Sequence, residues 1–134
     1  MAFQFEFDSA NRILRLRFEG MVTDEELTTA YRLLAVHTER TPSRAGVGDF
    51  SGVTDFQVTT ETLRRLAYSP PALANQDVPR FIVAPSQAIF GLARLFESHG
   101  AQTRPNIYVV RTREEVWAAL SVQEPHFGPL PAQD

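Results

Sequence analysis

The chain has 134 residues, 43% of them hydrophobic and 22% charged, with a formal net charge of -3; this is the balance of one globular domain, able to bury roughly two-thirds of its unfolded surface without metal or disulfide staples. There is no cysteine, and all 13 basic residues are arginine, which excludes thiol nucleophiles, disulfides, thiolate metal sites, and Schiff-base or phosphate-loop lysines. The mild acidity offers no general attraction for nucleic acid, and no apolar run is long enough for an integral membrane segment.

The chain opens on alternation. Phe3, Phe5 and Phe7 alternate with Gln4 and Glu6, and Leu14, Leu16 and Phe18 alternate with Arg15 and Arg17, the period-two pattern of half-buried strands. An acid within the first strand is unlike the apolar core of a signal peptide, so a cytoplasmic location is expected. Placing both apolar sets on one face sets Phe7 opposite Leu14, Phe5 opposite Leu16 and Phe3 opposite Phe18, with Ser9 to Arg12 as the loop. Glu6 then faces Arg15 as a solvated pair contributing under about 1 kcal/mol.

Gly20 reads as the end of the hairpin. Thr23-Asp24-Glu25-Glu26 reads as a capping box at a helix start, with Leu27, Ala30, Tyr31 and Leu34 as the inward stripe and Pro42 as the stop. A strand is expected from about Ala45 to Phe50, followed by a turn at Ser51-Gly52. Thr59 or Thr60 then caps a second helix carrying Leu63, Leu66 and Ala67 on one face, up to Pro70-Pro71. The run Arg80-Phe81-Ile82-Val83-Ala84 suits a strand buried on both faces. A third helix runs from Gln87 to about His99, with Gly100 expected as a left-handed terminator. Asn106 to Val110 is the last strand, and Thr112-Arg113-Glu114-Glu115 repeats the capping box before Val116, Ala119 and Leu120.

The order ββαβαβαβα implies an α/β fold. It has a mostly parallel mixed sheet of five strands, an N-terminal antiparallel hairpin and about four helices on the sheet faces. The domain is expected to span residues 1–121, with 122–134 a loose tail containing prolines.

Five segments carry a family resemblance: Gly20 to Glu26, Asp49-Phe50-Ser51-Gly52-Val53, the apolar strand before Phe90-Gly91-Leu92-Ala93-Arg94-Leu95-Phe96, and Arg113-Glu114-Glu115-Val116-Trp117, together with the hairpin. In order and spacing they resemble the SpoIIAA-like group of STAS-type proteins, up to about residue 121. The resemblance implies a small α/β sandwich serving as a regulatory or protein-interaction module, as in anti-sigma-factor antagonists, and it extends to lipid-binding Sec14-type folds. Antagonists of that family carry a phosphorylated serine at the start of the second helix. Here the matching segment is Gln57-Val58-Thr59-Thr60, without serine, which leaves Thr59 or Thr60 as a phosphoacceptor or anion site, or simply as a helix cap worth about 1 kcal/mol.

Asp49, Ser51 and Ser86 fall at strand ends and read either as a polar pocket rim or as turn formers. Asp49 and Asp55 are the available carboxylate pair. No nucleophile, base and oxyanion set assembles from these residues, so no catalytic residue, cofactor or enzymatic activity is expected. His37, His99 and His126 lack metal-ligand spacing, and no metal site is expected.

The third helix is the exception to a one-sided pattern. Ile89, Phe90, Leu92, Ala93, Leu95 and Phe96 place apolar side chains around more than one face, where a helix over a sheet needs a single stripe. Three arrangements would account for this: a second copy of the chain in a homodimer, a small apolar or lipid-like ligand in a pocket walled by this helix, or neighbouring helices or the tail burying both faces. Arg94 would then meet an acid across the interface or an anionic ligand head. The expected function is a non-enzymatic, homodimeric regulatory module of STAS type, with carriage or sensing of such a ligand as the alternative.

Overall fold

The computed structural model of the protein describes residues 2–69, 78–100 and 106–130. Its elements are β1 (Phe3–Asp8), β2 (Ile13–Thr23), α1 (Asp24–Arg40), β3 (Ala45–Gln57), α2 (Thr60–Tyr68), β4 (Arg80–Val83), α3 (Gln87–His99), β5 (Ile107–Val110), α4 (Arg113–Leu120) and β6 (Gly128–Pro129). The strands form one sheet in the order β5-β4-β3-β2-β1-β6. β2 to β5 are parallel, and β1 is antiparallel to its neighbours β2 and β6. No helix among the described residues is long and apolar enough to cross a membrane.

The hairpin register follows from its alternation: Phe3 pairs Phe18, Phe5 pairs Leu16, Phe7 pairs Leu14 and Glu6 pairs Arg15. A slip of one residue would turn Arg15 and Arg17 into the phenylalanine layer. Thr23 caps α1, its hydroxyl accepting from the Glu26 N–H at 3.3 Å. The Glu26 carboxylate leaves the box and accepts from the Ala2 N–H at 2.8 Å, tying the chain start to the helix. At α4 the box closes both ways between Thr112 and Glu115.

Several expectations are corrected. β2 does not stop at Gly20, whose φ of 71° serves a register shift within the strand, and β3 does not turn at Ser51-Gly52. The two strands run on together to Thr23 and Gln57, because the backbones approach so closely there that a Cβ on Gly52 would lie 3.1 Å from the Phe18 carbonyl oxygen. Gly100 terminates α3 at φ -99°, not in the left-handed region; Ser121 after α4 adopts that conformation instead, at φ 58°.

Residues 122–130 are docked and add a sixth strand. Val122 is buried, the Phe127 ring lies 5.8 Å from that of Trp117, and the Leu130 N–H donates to the Phe5 carbonyl at 2.8 Å. Glu6 is accordingly no solvated partner. It is 8% exposed and engages both Arg15 at 2.9 Å and Arg17 at 3.1 Å, with the Arg15 guanidinium lying 3.9 Å from the Phe127 ring centre. Pro70-Pro71 and the first part of the expected loop before β4 lie outside the described residues.

The strand alternation divides the core into two layers. Ile13, Ala45, Val47, Phe81 and Val83 face α4 with Val116 and Val122. Leu16 and Phe18 face α1 and α2 with Phe5, Ala30, Leu33 and Leu63. Ile89 and Ala93 bring α3 onto the same side.

Candidate functional site: an apolar cavity above two glycines

The register sets two rows of side chains across the sheet on the side of α1, α2 and α3. One row reads Leu14, Gly46, Arg80, Ile107, and the next reads Leu16, Gly48, Ile82, Val109. In both rows the β3 position is glycine, so the middle of the sheet carries no side chain beneath the helices. Glycine inside a strand commonly marks a place where something else approaches the backbone.

Above the two glycines lies a cavity of about 160 Å³. Its floor is β2, β3, β4 and β5, and its roof is the inner faces of three helices: Leu27, Tyr31 and Leu34 of α1, Leu63 and Leu66 of α2, and Ile89, Leu92, Ala93 and Phe96 of α3. Phe18, Phe50 and Phe56 close one end; the Phe18 and Phe50 rings stack at 4.5 Å and Phe56 meets Phe50 edge-on at 5.8 Å. The other end, at the N-terminal edge of the parallel strands, holds the polar lining residues Thr38, Ser43 and Arg80. From the level of Gly46 to that of Phe50 the strand rises roughly 13 Å.

Both glycines have space above them. A Cβ on Gly48 would find its nearest neighbour, the Phe50 ring, at 3.8 Å, and one on Gly46 would meet Arg80 Cγ at 3.5 Å. Neither position has a backbone conformation that demands glycine. The sequence signal was the alternation Ala45-Gly46-Val47-Gly48-Asp49, which puts consecutive glycines on one face. The segment reads as a strand from sequence, but what lies above the glycine face is set by the partner strands and helices.

Much of the apolar excess of α3 is met within the chain, and Leu95 is half-buried. Ile89, Leu92, Ala93 and Phe96 line the cavity, and the Arg111 guanidinium covers the Phe90 ring at 4.0 Å. Arg94 does not reach the cavity; it points to solvent and pairs with Glu97 at 3.2 Å. Among the described residues the cation that lines the site is Arg80, which sequence reasoning had placed only as a strand residue.

The strand-end candidates lie elsewhere. Asp49 is fully buried on the α4 side, where its carboxylate accepts from Arg113 Nε at 2.7 Å and from the Ser51 N–H at 2.9 Å, with Arg15 at 3.8 Å. Asp55 lies six residues further along the strand, roughly 20 Å away, so the two form no carboxylate pair. Ser51 is exposed, and Ser86 caps α3 by accepting from the Ile89 N–H at 3.1 Å.

Thr59 caps α2, accepting from the Thr62 N–H at 3.2 Å, while its own N–H and hydroxyl donate to Asp24 at 2.8 and 3.0 Å. The negative charge that a helix start attracts is thus supplied by Asp24, and the Thr59 N–H bond is the first cause holding that carboxyl below its usual range. Thr60, the first residue of α2, is exposed.

The histidines stay apart. His37 is buried on α1 and stacks on Phe5 at 4.1 Å, His99 Nδ1 meets the Tyr68 hydroxyl at 2.9 Å, and the His126 N–H donates to Asp8 at 3.1 Å. Among the described residues no three metal-ligating side chains gather. No model of a known protein family matches the chain, and no curated protein matches it at a significant level.

Proposed function

We propose that this protein is a non-enzymatic carrier or sensor of a small apolar ligand, held between the sheet and α1, α2 and α3. The observation that carries the reading is the pair Gly46 and Gly48, which keeps a space open at the centre of an otherwise well-filled layer. The space opens partly to solvent and its walls are almost wholly apolar, so without a guest it keeps apolar surface in contact with water that a ligand would cover. Larger side chains at either position would fill it without backbone strain, so the glycines favour a guest. The volume is close to that of an engineered apolar cavity of about 150 Å³ that takes up benzene.

The lining supports binding over chemistry. Among the described residues it offers the hydroxyl-bearing Tyr31, Thr38 and Ser43 and the cation Arg80, but no carboxylate or imidazole to serve as a base. The homodimeric STAS-like module assigned the apolar surface of α3 to a second subunit; the inward turn of Leu92 and Phe96 favours the ligand alternative.

Gly48→Leu tests the reading. Toluene titrated into the unmodified protein should shift the methyl NMR signals of Leu34, Ile89 and Leu92. The Gly48→Leu protein should bind at least tenfold more weakly while melting at a higher temperature, since the new side chain occupies the void. Equal toluene binding by both proteins, or none by either, would remove the proposal.

A further inference from the structure

Resting on that reading, we infer that the ligand is an uncharged compound with a single aromatic ring, seated with that ring against Phe18, Phe50 and Phe56. Size comes first. A cavity of about 160 Å³ suits roughly six to ten non-hydrogen atoms, by comparison with the benzene-binding cavity of similar volume. That is one ring with a short substituent, and too little space for a two-chain lipid.

The walls then exclude a charge on the guest. Apart from Ser43, the polar side chains of the lining are Tyr31, Thr38 and Arg80, and each of these already has a partner within the chain. The Thr38 hydroxyl, for one, donates to the Ala35 carbonyl at 3.0 Å. Ser43 is half-buried and adds a single hydroxyl. An ionised head group would give up its water for a surface that is almost wholly carbon, which is costly unless dedicated partners replace that water.

Ring chemistry separates guests of equal size. The Phe18 and Phe50 rings stack at 4.5 Å with 11° between their planes, whereas Phe56 stands at 83° to Phe50 at 5.8 Å, and all three line the same end of the cavity. Rings set parallel and perpendicular to one another present both faces and edges, so a guest ring beside them can stack with an offset or meet them edge-on. Such contacts strengthen binding by about two- to tenfold beyond the area they bury, and a saturated guest cannot make them. The empty position is itself bordered by this cluster. The atom nearest to a Cβ added at Gly48 belongs to the edge of the Phe50 ring, at 3.8 Å, so a guest that takes the place of the missing side chain lies against that ring.

Toluene, methylcyclohexane and benzoate share a six-membered ring and differ in aromaticity or charge, so calorimetric titration of all three at neutral pH separates this inference from the cavity reading. The unmodified protein should bind toluene at least threefold tighter than methylcyclohexane, although the saturated ring has the larger apolar surface and would be the tighter guest if area alone decided. Benzoate should bind at least tenfold more weakly than toluene. Phe50→Leu, which removes both ring contacts, should bring toluene and methylcyclohexane within about twofold of each other by weakening toluene. Should that variant fail to fold, the preference in the unmodified protein and its reduction in Phe56→Leu decide. Methylcyclohexane or benzoate binding as tightly as toluene, or a preference untouched by loss of the rings, would overturn the aromatic inference and leave the cavity reading standing. Binding of none of the three would overturn both.

Discussion

His37 is a titratable side chain sealed at 3% exposure against the Phe5 ring, and its Nε2 has no hydrogen-bond partner among the described residues. Burial first, and the nearby Arg40 charge second, hold its pKa below the ordinary histidine value of 6.5. The unfolded chain therefore takes up the proton more readily than the folded one. Stability from this group is complete above about pH 6.5 and falls as pH drops from there toward the lower folded-state pKa, by at most about 1.4 kcal/mol per pH unit. Urea denaturation between pH 7.5 and 5 should show this decline, and His37→Leu should flatten it; an unchanged slope would mean that His37 is hydrated in solution. The carboxyls follow the same sign in a lower window. Burial pushes Asp8 upward, but hydrogen bonds from the Asn11 side chain and backbone and from the His126 N–H outweigh it and leave its pKa lowered. The Thr112 and Arg111 N–H groups hold Glu115 down as well. Their contributions are lost only as pH falls through the acidic carboxylate range, so the two sets can be told apart.

At the scale of elements, the paired extensions of β2 and β3 decide where the cavity ends. They carry Phe56 past the point where a turn at Ser51-Gly52 would have released it, and its ring joins Phe50 in closing the apolar end of the site. Gly52 makes this possible. An added Cβ would sit 2.9 Å from Glu19 Cγ and 3.1 Å from the Phe18 carbonyl oxygen, and the latter is backbone that cannot swing aside. Gly52→Ala should destabilise the protein by about 1–2 kcal/mol and weaken toluene binding, because the strand must part from its neighbour to accept the methyl group. Denaturation with parallel NMR titration checks this, and full retention of both properties would show that the close approach is not required. Gly48→Leu runs the opposite way at the same strand, since an open space lies above it.

Across the whole molecule, the sheet separates a greasy layer from an ionic one. The polar side of β1 and β2, with Glu6, Asp8, Arg15 and Arg17, is covered by residues 122–130, and Asp49 joins it to α4 through Arg113. Charges taken from water in this way need complete pairing; the strap excludes solvent from Arg15 while Glu6 and Asp49 flank it on either side. Phe127→Ala should lower stability by about 2 kcal/mol, as expected for a half-buried ring, while leaving toluene binding within about twofold, because the strap and the cavity lie on opposite sides. A urea midpoint that does not move would show that the strap contributes no packing.

Much of this was readable from residue order. Hairpin register, the caps at Thr23 and Thr112 and the α/β class all rest on local periodicity and short-range hydrogen bonding, which a linear pattern contains; the stripe read on α1 held Ala30 but missed Leu33 and His37, which are buried beside it. The excess on α3 was readable too, but its cause was not: whether Phe96 meets a second chain, a neighbouring helix or empty space depends on what the other elements bring to it.

Residue order alone was enough for the helices, the starts of the first five strands and the apolar face of most of them, because those properties are set by neighbours two to four positions away. The paired extensions of β2 and β3, the docking of β6, and the placement of Gly46 and Gly48 beneath three helix faces with Arg80 beside them and Asp49 turned away came from packing. Those relations depend on strand order and register between segments tens of residues apart. There the absence of a side chain matters as much as its presence, and a space has no letter in a sequence.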